Sequence, residues 1–480
     1  MTADDLRLME PLLAVAATAL LVLLVDFFQV GRSKNFAFGL CLLGLTYALV
    51  RNIGLWNSDA APLCGGLLKL DRLGTGFNAV FLVAGLFAVM LSWTYMKRTG
   101  TILAEYYLLL LTAVMGMMVM AQADDLFILF IGIELLSIPL YVLAAFLRHR
   151  KQSVEAGMKY FLLGAFSSCI LVYGIALLYG AAGSTGITEV VAAAKSGADP
   201  FLIKAGLGLF IVALGFKVAA VPFHMWAPDV YEGSPTPITA FMATAVKAAG
   251  FAALIRVFTG LSGLFGDGTV THCLALIAVA TMIVGNLGAL PQTNIKRMLA
   301  FSSIAHAGYI MVGVAALSVN PGFQAAEAVI FYLAAYTFTN LGAFAVVIFL
   351  IGKKKEYNEI DDYKGLALRN PILALSMAIF MFTLTGIPPT AGFFGKFFLF
   401  KAAVDADLIW LAVAGVLLSV VSVYYYVRVV AYMYLKPSNE DAPGMEQCPW
   451  LAAVSLVSVA AVFFLGIFPQ FVLNVLDSII

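Results

Sequence analysis

Charge is what this 480-residue chain has least of: 11% of its residues are Asp, Glu, Lys or Arg, and its formal net charge is +1. So balanced a chain has, taken as a whole, no bias toward nucleic acid or an acidic partner; any bias lies in how its charges are distributed. Its five cysteines, Cys41, Cys64, Cys169, Cys273 and Cys448, contain no CxxC pair, and the four histidines have no spacing suited to a shared metal or haem. No GxGxxG follows a strand and GxxxxGK[ST] is absent, so nucleotide and redox cofactors have no visible home here. The chain is expected to work without a cofactor of its own.

What is abundant is oil. Hydrophobic residues make up 62% of the chain, a proportion that places it in the membrane. A bilayer core requires about 20 apolar residues per spanning helix. Such windows recur from Leu12 to Val472 and predict fourteen spans: 9–30, 35–54, 76–96, 102–121, 124–147, 156–181, 201–226, 237–261, 271–291, 298–319, 323–351, 371–403, 407–435 and 450–474. The first span opens within ten residues of Met1 behind Asp4 and Asp5, which is unlike a cleaved secretory signal. Basic clusters follow spans 1, 3, 5, 9 and 11: Arg32 and Lys34, Lys97 and Arg98, Arg148 with Arg150 and Lys151, Lys296 and Arg297, and Lys353 with Lys354 and Lys355. The loops after even-numbered spans are poorer in cations, although the second holds Arg51, Lys69 and Arg72. The positive-inside rule therefore makes the odd loops cytoplasmic and leaves both termini outside.

The few ionisable residues inside apolar spans carry most of the information, because burying an unpaired charge in a bilayer costs at least ~2.5–3.5 kcal/mol. Glu134 lies in span 5, Lys217 in span 7, Lys247 in span 8 and Lys396 in span 12. Pro222 follows Lys217 within span 7. It has no N–H, so the helical partner of the Val218 carbonyl is lost, and lipid tolerates such a break only inside protein or beside water. Span 12 repeats the device with Pro388 and Pro389, which free the carbonyls of Leu384 and Thr385 ahead of Lys396. Two broken, charge-bearing helices five spans apart are a transporter signature. Five being odd, spans 4–8 and 9–13 read as inverted copies. The chain then divides into 1–100 (three N-terminal helices), 101–262 (first repeat), 263–436 (second repeat) and 437–480 (the last span). A unit charge ~8 Å from a buried amine contributes ~2 kcal/mol at an effective dielectric of ~20. That is enough to switch a poised site and too little to lock it.

These motifs carry a resemblance. The run from Gly215 to Lys247, with "GIELLSIPLY" (132–141), "QTNIKRMLAFSSIAHAGY" (292–309), "GIPPTAGFFGKF" (386–397) and "YYYVRV" (424–429), resembles the antiporter-like subunits of proton-translocating NADH:quinone oxidoreductase, respiratory complex I. The lysine in span 12 resembles the N type, whose mitochondrial counterpart is NADH dehydrogenase subunit 2; the M type has a glutamate there. The resemblance implies an all-α membrane protein of fourteen helices with two inverted five-helix repeats. It also implies a proton path along the mid-membrane, driven by electron transfer in partner subunits that hold FMN, iron-sulfur clusters and quinone. M-type and small K-type membrane-arm subunits are the implied neighbours, and a bacterial cytoplasmic membrane the implied location.

On that resemblance Glu134 and Lys217 form a coupled pair, Lys247 is the central relay and Lys396 the terminal proton site. His306 and His224 match family histidines suited to shuttling protons; His224 reads equally as a cap on the broken helix. Lys159 matches a modulator of Lys217, or a solvated i,i+4 pair with Glu155. Asp229 and Glu232 read as fixing a cytoplasmic loop. The run 353–365 reads as an exposed loop touching neighbouring subunits or as a solvated charge run. Tyr424, Tyr425 and Tyr426 read as an interface belt or an internal hydrogen-bonding element. A cation/proton antiporter component and a purely structural subunit are the competing functions; the lysine-rich stations favour protons over sodium.

Overall fold

The computed structural model describes residues 3–28, 34–101, 103–261, 268–319, 323–352, 356–438 and 448–476. Arg32 and Lys353 to Lys355 lie outside them. Thirteen helices among the described residues are long and apolar enough to cross a membrane. They supply span 1 (Glu10–Phe28), span 2 (Lys34–Gly54), span 3 (Arg72–Thr99), span 4 (Ala104–Gln122), span 5 (Leu126–Ala144), span 6 (Lys151–Ala182) and span 7 (Pro200–Val218, continued by Trp226–Gly233). Span 8 runs from Thr236–Phe241 through a π-turn, Met242–Val246, into Lys247–Leu261. Span 9 (Thr269–Ala289), span 10 (Ile295–Val319), span 11 (Phe323–Phe349), span 13 (Ile409–Leu435) and span 14 (Pro449–Ile467) complete the thirteen. Span 12 is made of two 15-residue helices, Pro371–Thr385 and Ala391–Asp405. Each rises only ~22 Å, short of a ~30 Å hydrocarbon core, so the crossing needs both.

Local chemistry sets the ends. Asp71, Asp125 and Asp199 cap spans 3, 5 and 7 by accepting from Gly74 N, Phe127 N and Phe201 N at 2.7, 2.8 and 2.8 Å. Pro200 and Pro371 each occupy a first helical turn, where the missing N–H costs nothing. Gly386, at φ 93°, ends the first half of span 12 in a conformation that side chains resist. Gly116 lets spans 4 and 5 close together: a Cβ there would stand 2.4 Å from Leu136 N.

Two sets of loops gather at opposite ends of the bundle. At one end Arg98 Nη1 donates to Ile348 O at 2.8 Å and Ile351 O at 3.0 Å, Arg150 pairs with Glu356, Asn294 bridges Glu359, and Arg428 Nη1 donates to Leu290 O at 2.9 Å. The loops after spans 3, 5, 9 and 11 thus share a face with the last turns of span 13. At the other end the loops after spans 2, 4 and 6 meet through the Leu68–Ala123 and Asp125–Gly186 bridges, and Arg256 at the end of span 8 holds Asp71. Enclosure is uneven. The windows of spans 8, 10 and 11 are 100%, 94% and 89% buried, whereas spans 1, 2, 6 and 13 are each 33% buried. Span 8 owes its place to small residues, Ala240, Ala243, Ala245, Ala248, Ala249 and Gly250, which let neighbours approach closely.

The structure corrects several expectations. A short antiparallel hairpin, β1 (Ala61–Leu63) and β2 (Leu68–Leu70), occupies the loop after span 2. Span 6 starts at Lys151 rather than 156, its first turn held to the end of span 5 by Ser153 Oγ, which donates to Ala144 O at 2.7 Å. Span 14 stops at Ile467, since Pro469 opens a separate helix, Pro469–Leu476. Residues 356–363 are only partly exposed: Glu359 and Asp361 face outward, whereas Ile360 N donates to Thr293 O at 2.8 Å, Ile295 N donates to Asn358 O at 2.7 Å, and Ile360 and Tyr363 are buried. Lys296 is no loop cation either. It is 1% exposed in the first turn of span 10.

Candidate functional site

Span 7 ends at Val218, where Ala219 turns left-handed at φ 58°. The loosened backbone finds other partners: Ala220 N donates to Gly215 O at 2.8 Å, Val221 N to Thr281 Oγ1 at 2.9 Å, and the Trp226 indole to Phe216 O at 3.0 Å. At this interruption the Lys217 amine points into the bundle and donates to Ser137 Oγ at 2.5 Å. Ser137 sits one turn beyond Glu134 on span 5, about 4.5 Å of rise. Glu134 is half-buried and accepts a hydrogen bond from Ser168 of span 6. The rings of Tyr141 and Phe216 each lie 5.9 Å from the amine.

Lys247 follows the π-turn of span 8, a distortion that often marks functional positions. Its amine donates to the backbone carbonyl of Ser303 and, at 2.6 Å, to Ser303 Oγ. One turn along span 10 stands His306. Its Nδ1 meets Tyr332 OH at 2.5 Å and its Nε2 meets Tyr426 OH at 2.9 Å, and Tyr426 also bonds Ser302. A further turn brings Tyr309, whose ring lies 4.8 Å from Lys396 Nζ and whose hydroxyl accepts from Asn286 Nδ2 at 3.1 Å. Span 10 therefore presents Ser303, His306 and Tyr309 in a row and joins the Lys247 and Lys396 stations.

Lys396 meets the carbonyls that the prolines set free. It donates to Leu384 O at 3.1 Å and to Thr385 O at 2.9 Å. Interruption and amine thus satisfy each other: the carbonyls gain a donor and the amine gains acceptors in a region with few others. Lys217, Lys247 and Lys396 are at most 5% exposed, and among the described residues none has a carboxylate within ion-pair distance.

Two expected members lie apart from this row. Lys159 bonds both Glu155 and Asp229, each at 2.7 Å, and Arg297 bonds Asp229 and Glu232, each at 2.7 Å. This five-residue network ties span 6, the second half of span 7 and span 10 together on the basic-loop face. His224 sits half-buried in the turn of span 7, and its Nδ1 finds no partner among the described residues. The tyrosine triplet divides: Tyr424 is exposed, whereas Tyr425 donates to Asn286 Oδ1 at 3.0 Å and Tyr426 reaches His306. The sequence reading missed Ser137, Ser303, Tyr309, Tyr332 and Asn286. Ser303, His306 and Tyr309 do recur at three-residue intervals in "AFSSIAHAGY", but only knowledge that span 10 is central makes that spacing informative. Among the described residues no group of three or more His, Cys, Asp or Glu is placed to hold a metal ion.

Comparison with known proteins places this arrangement. Residues 123–422 match the family described as NADH:quinone oxidoreductase/Mrp antiporter, transmembrane. NADH-quinone oxidoreductase subunit N of Trichlorobacter lovleyi is 44% identical over 474 residues, covering 98% of this chain and 96% of that protein. A chain of respiratory complex I from Thermus thermophilus, solved with bound aureothin, superposes with a TM-score of 0.84 at 34% identity, covering 98% of this chain and 99% of that one. A chain of the Mrp complex from Dietzia sp. superposes at 0.85 with 22% identity, covering 100% and 97%, a likeness of fold alone. The chain belongs to the NADH:quinone oxidoreductase/Mrp antiporter transmembrane family, as an antiporter-like subunit of the N type.

Proposed function

We propose that this chain moves protons across the membrane through Glu134, Lys217, Lys247, His306 and Lys396, as one subunit of a proton-translocating NADH:quinone oxidoreductase. The observation that carries the reading is the state of the lysines. Each buried amine is held by neutral hydroxyls, carbonyls and aromatic faces, with no carboxylate within ion-pair distance among the described residues. A lysine locked in an ion pair would be structural, whereas one held by dipoles alone gains and loses its proton for small electrostatic changes. Glu134, one turn from the hydroxyl that holds Lys217, is the nearby switching charge. His306 offers a nitrogen on either side of its ring to Tyr332 and Tyr426, and so carries a proton by taking it at one nitrogen and releasing it at the other.

On this reading spans 4–8 and 9–13 act as inverted copies, with the interruptions of spans 7 and 12 as their corresponding water-admitting elements. Electron transfer, with its flavin, iron-sulfur clusters and quinone, belongs to partner subunits; the neighbours in the bilayer are M-type and K-type membrane-arm subunits. The basic-loop face is cytoplasmic and both termini lie outside. His224 and Lys159 act from beside the path, His224 at the turn of span 7 and Lys159 by holding its second half through Asp229. The test is proton translocation by the purified assembly in sealed vesicles, wild type against Lys247→Arg. Arginine keeps the cation but does not release its proton, so pumping through this chain should stop while electron transfer continues. Wild-type pumping in Lys247→Arg defeats the reading.

A further inference from the structure

Lys296 is a buried amine with no part in the path described above. It is 1% exposed in the first turn of span 10, and its Nζ donates to Ser234 O at 2.7 Å. The charged groups around it come from several elements: Glu356 after span 11, which bonds Tyr95 of span 3 and Arg150 before span 6, and Glu232 in the second half of span 7. Arg150 is 41% exposed and Glu356 10%, so the pair stands between Lys296 and the aqueous face. Inward, Lys296 shares span 10 with Ser303, the partner of Lys247, two turns or ~10 Å away.

Along that stretch the protein leaves polar atoms orphaned. Ser234 Oγ and Thr236 Oγ1, at the start of the span that carries Lys247, are buried with no hydrogen-bond partner among the described residues. The same holds for Thr337 Oγ1 and Asn340 Oδ1 on span 11, beside Tyr336, whose ring lies 5.0 Å from that of His306. Span 11 packs on the start of span 8 and on its π-turn. Buried polar atoms in folded proteins are almost always satisfied, and where protein groups do not serve, water does.

We propose that Lys296 is the proton entry station on the basic-loop face, taking protons there and passing them to Lys247 through water held by Ser234, Thr236, Thr337 and Asn340. The inference rests on Lys247 being a proton carrier. In the transfer an N–H bond of the Lys296 ammonium breaks, the proton moves along the water, and an N–H bond forms at the neutral Lys247 amine. Water at the face then reprotonates Lys296, and no electrons move. Glu356 is a positioning residue, a fixed anion that draws positive charge inward.

The test uses the assembled complex in sealed vesicles with Lys296→Arg, reading protons moved per electron and their pH profile. Arginine preserves the cation and donors but holds its proton at every working pH. The expected result is intact assembly, continued electron transfer, and the same loss of pumping as Lys247→Arg; Lys296→His should restore part of it with an altered pH profile. Normal pumping in Lys296→Arg alongside loss in Lys247→Arg overturns the entry station alone. Normal pumping in both removes the underlying reading as well. Should Lys296→Arg fail to assemble, Thr236→Val decides, since it keeps nearly the same shape without the hydroxyl: a several-fold slower proton uptake supports the water path, and wild-type uptake refutes it.

Discussion

Replacing Glu356 by Gln removes one negative charge from a crowded junction. Burial alone would raise this carboxyl, but the Lys296 ammonium, the Tyr95 hydroxyl, Arg150 and Asn358 outweigh it and hold the group down at about 2, against an ordinary value of 4.5. At ~1.4 kcal/mol per pH unit, that difference is worth about 3 kcal/mol of folding free energy. The sign follows from the lowered carboxyl: the stabilisation is complete above about pH 4.5 and fades as pH falls towards 2. At pH 7 Glu356→Gln leaves Lys296 and Arg150 facing each other's field without their anion. The variant should therefore unfold earlier, with a deficit near the ~3–5 kcal/mol seen when one member of a buried pair is removed. Unfolding midpoints in graded detergent denaturation, for wild type and variant at pH 7, 5 and 3, measure it. The gap should be widest at pH 7, nearly unchanged at pH 5, and cut to about half or less at pH 3, since the stabilisation is lost completely only below the folded carboxyl's value of about 2. Equal midpoints at pH 7, or a gap unchanged down to pH 3, would refute the junction as the source of stability.

Other outcomes follow from the same geometry. Glu134→Gln keeps the Ser168 contact but removes the charge near Lys217; a unit charge ~8 Å from a buried amine is worth ~2 kcal/mol at an effective dielectric of ~20. Vesicle acidification should fall sharply while assembly on a native gel is retained, and full pumping would remove the carboxylate from the mechanism. Tyr426→Phe deprives His306 Nε2 and Ser302 of a partner. It should slow proton transfer and lower stability by about 1–2 kcal/mol, readable as pumping rate against unfolding midpoint. Gly392→Ala would set a Cβ 1.8 Å from Thr383 O, across the interruption of span 12. It should reduce the folded protein in membranes, because backbone on both sides leaves nothing flexible to yield.

Much of the architecture could be read from the chain because lipid is an exacting solvent. Fourteen crossings follow from run length, and the parity of the basic loops agrees with the two faces into which the loops gather. Prolines 222, 388 and 389 lie where helices are interrupted, since a missing N–H acts on the residue beside it whatever the surroundings. The misreadings share a cause. Lys296 and Glu356 look solvated in a sequence window because their partners, Ser234, Tyr95 and Arg150, are 62, 261 and 206 residues away. The triplet at 424–426 was ambiguous for the same reason: consecutive helical positions point 100° apart, and only packing says which of them face inward.

The sequence by itself determined that this is a membrane protein, which spans carry amines and where the helices break, because transfer into hydrocarbon is charged residue by residue and each proline acts locally. Tertiary structure alone decided what each amine meets: Ser137 lies 80 residues from Lys217, and Ser303 lies 56 from Lys247. An apolar helix looks the same whether it faces lipid or protein. Only packing could bring span 10 to the centre and line up its serine, histidine and tyrosine between two lysines.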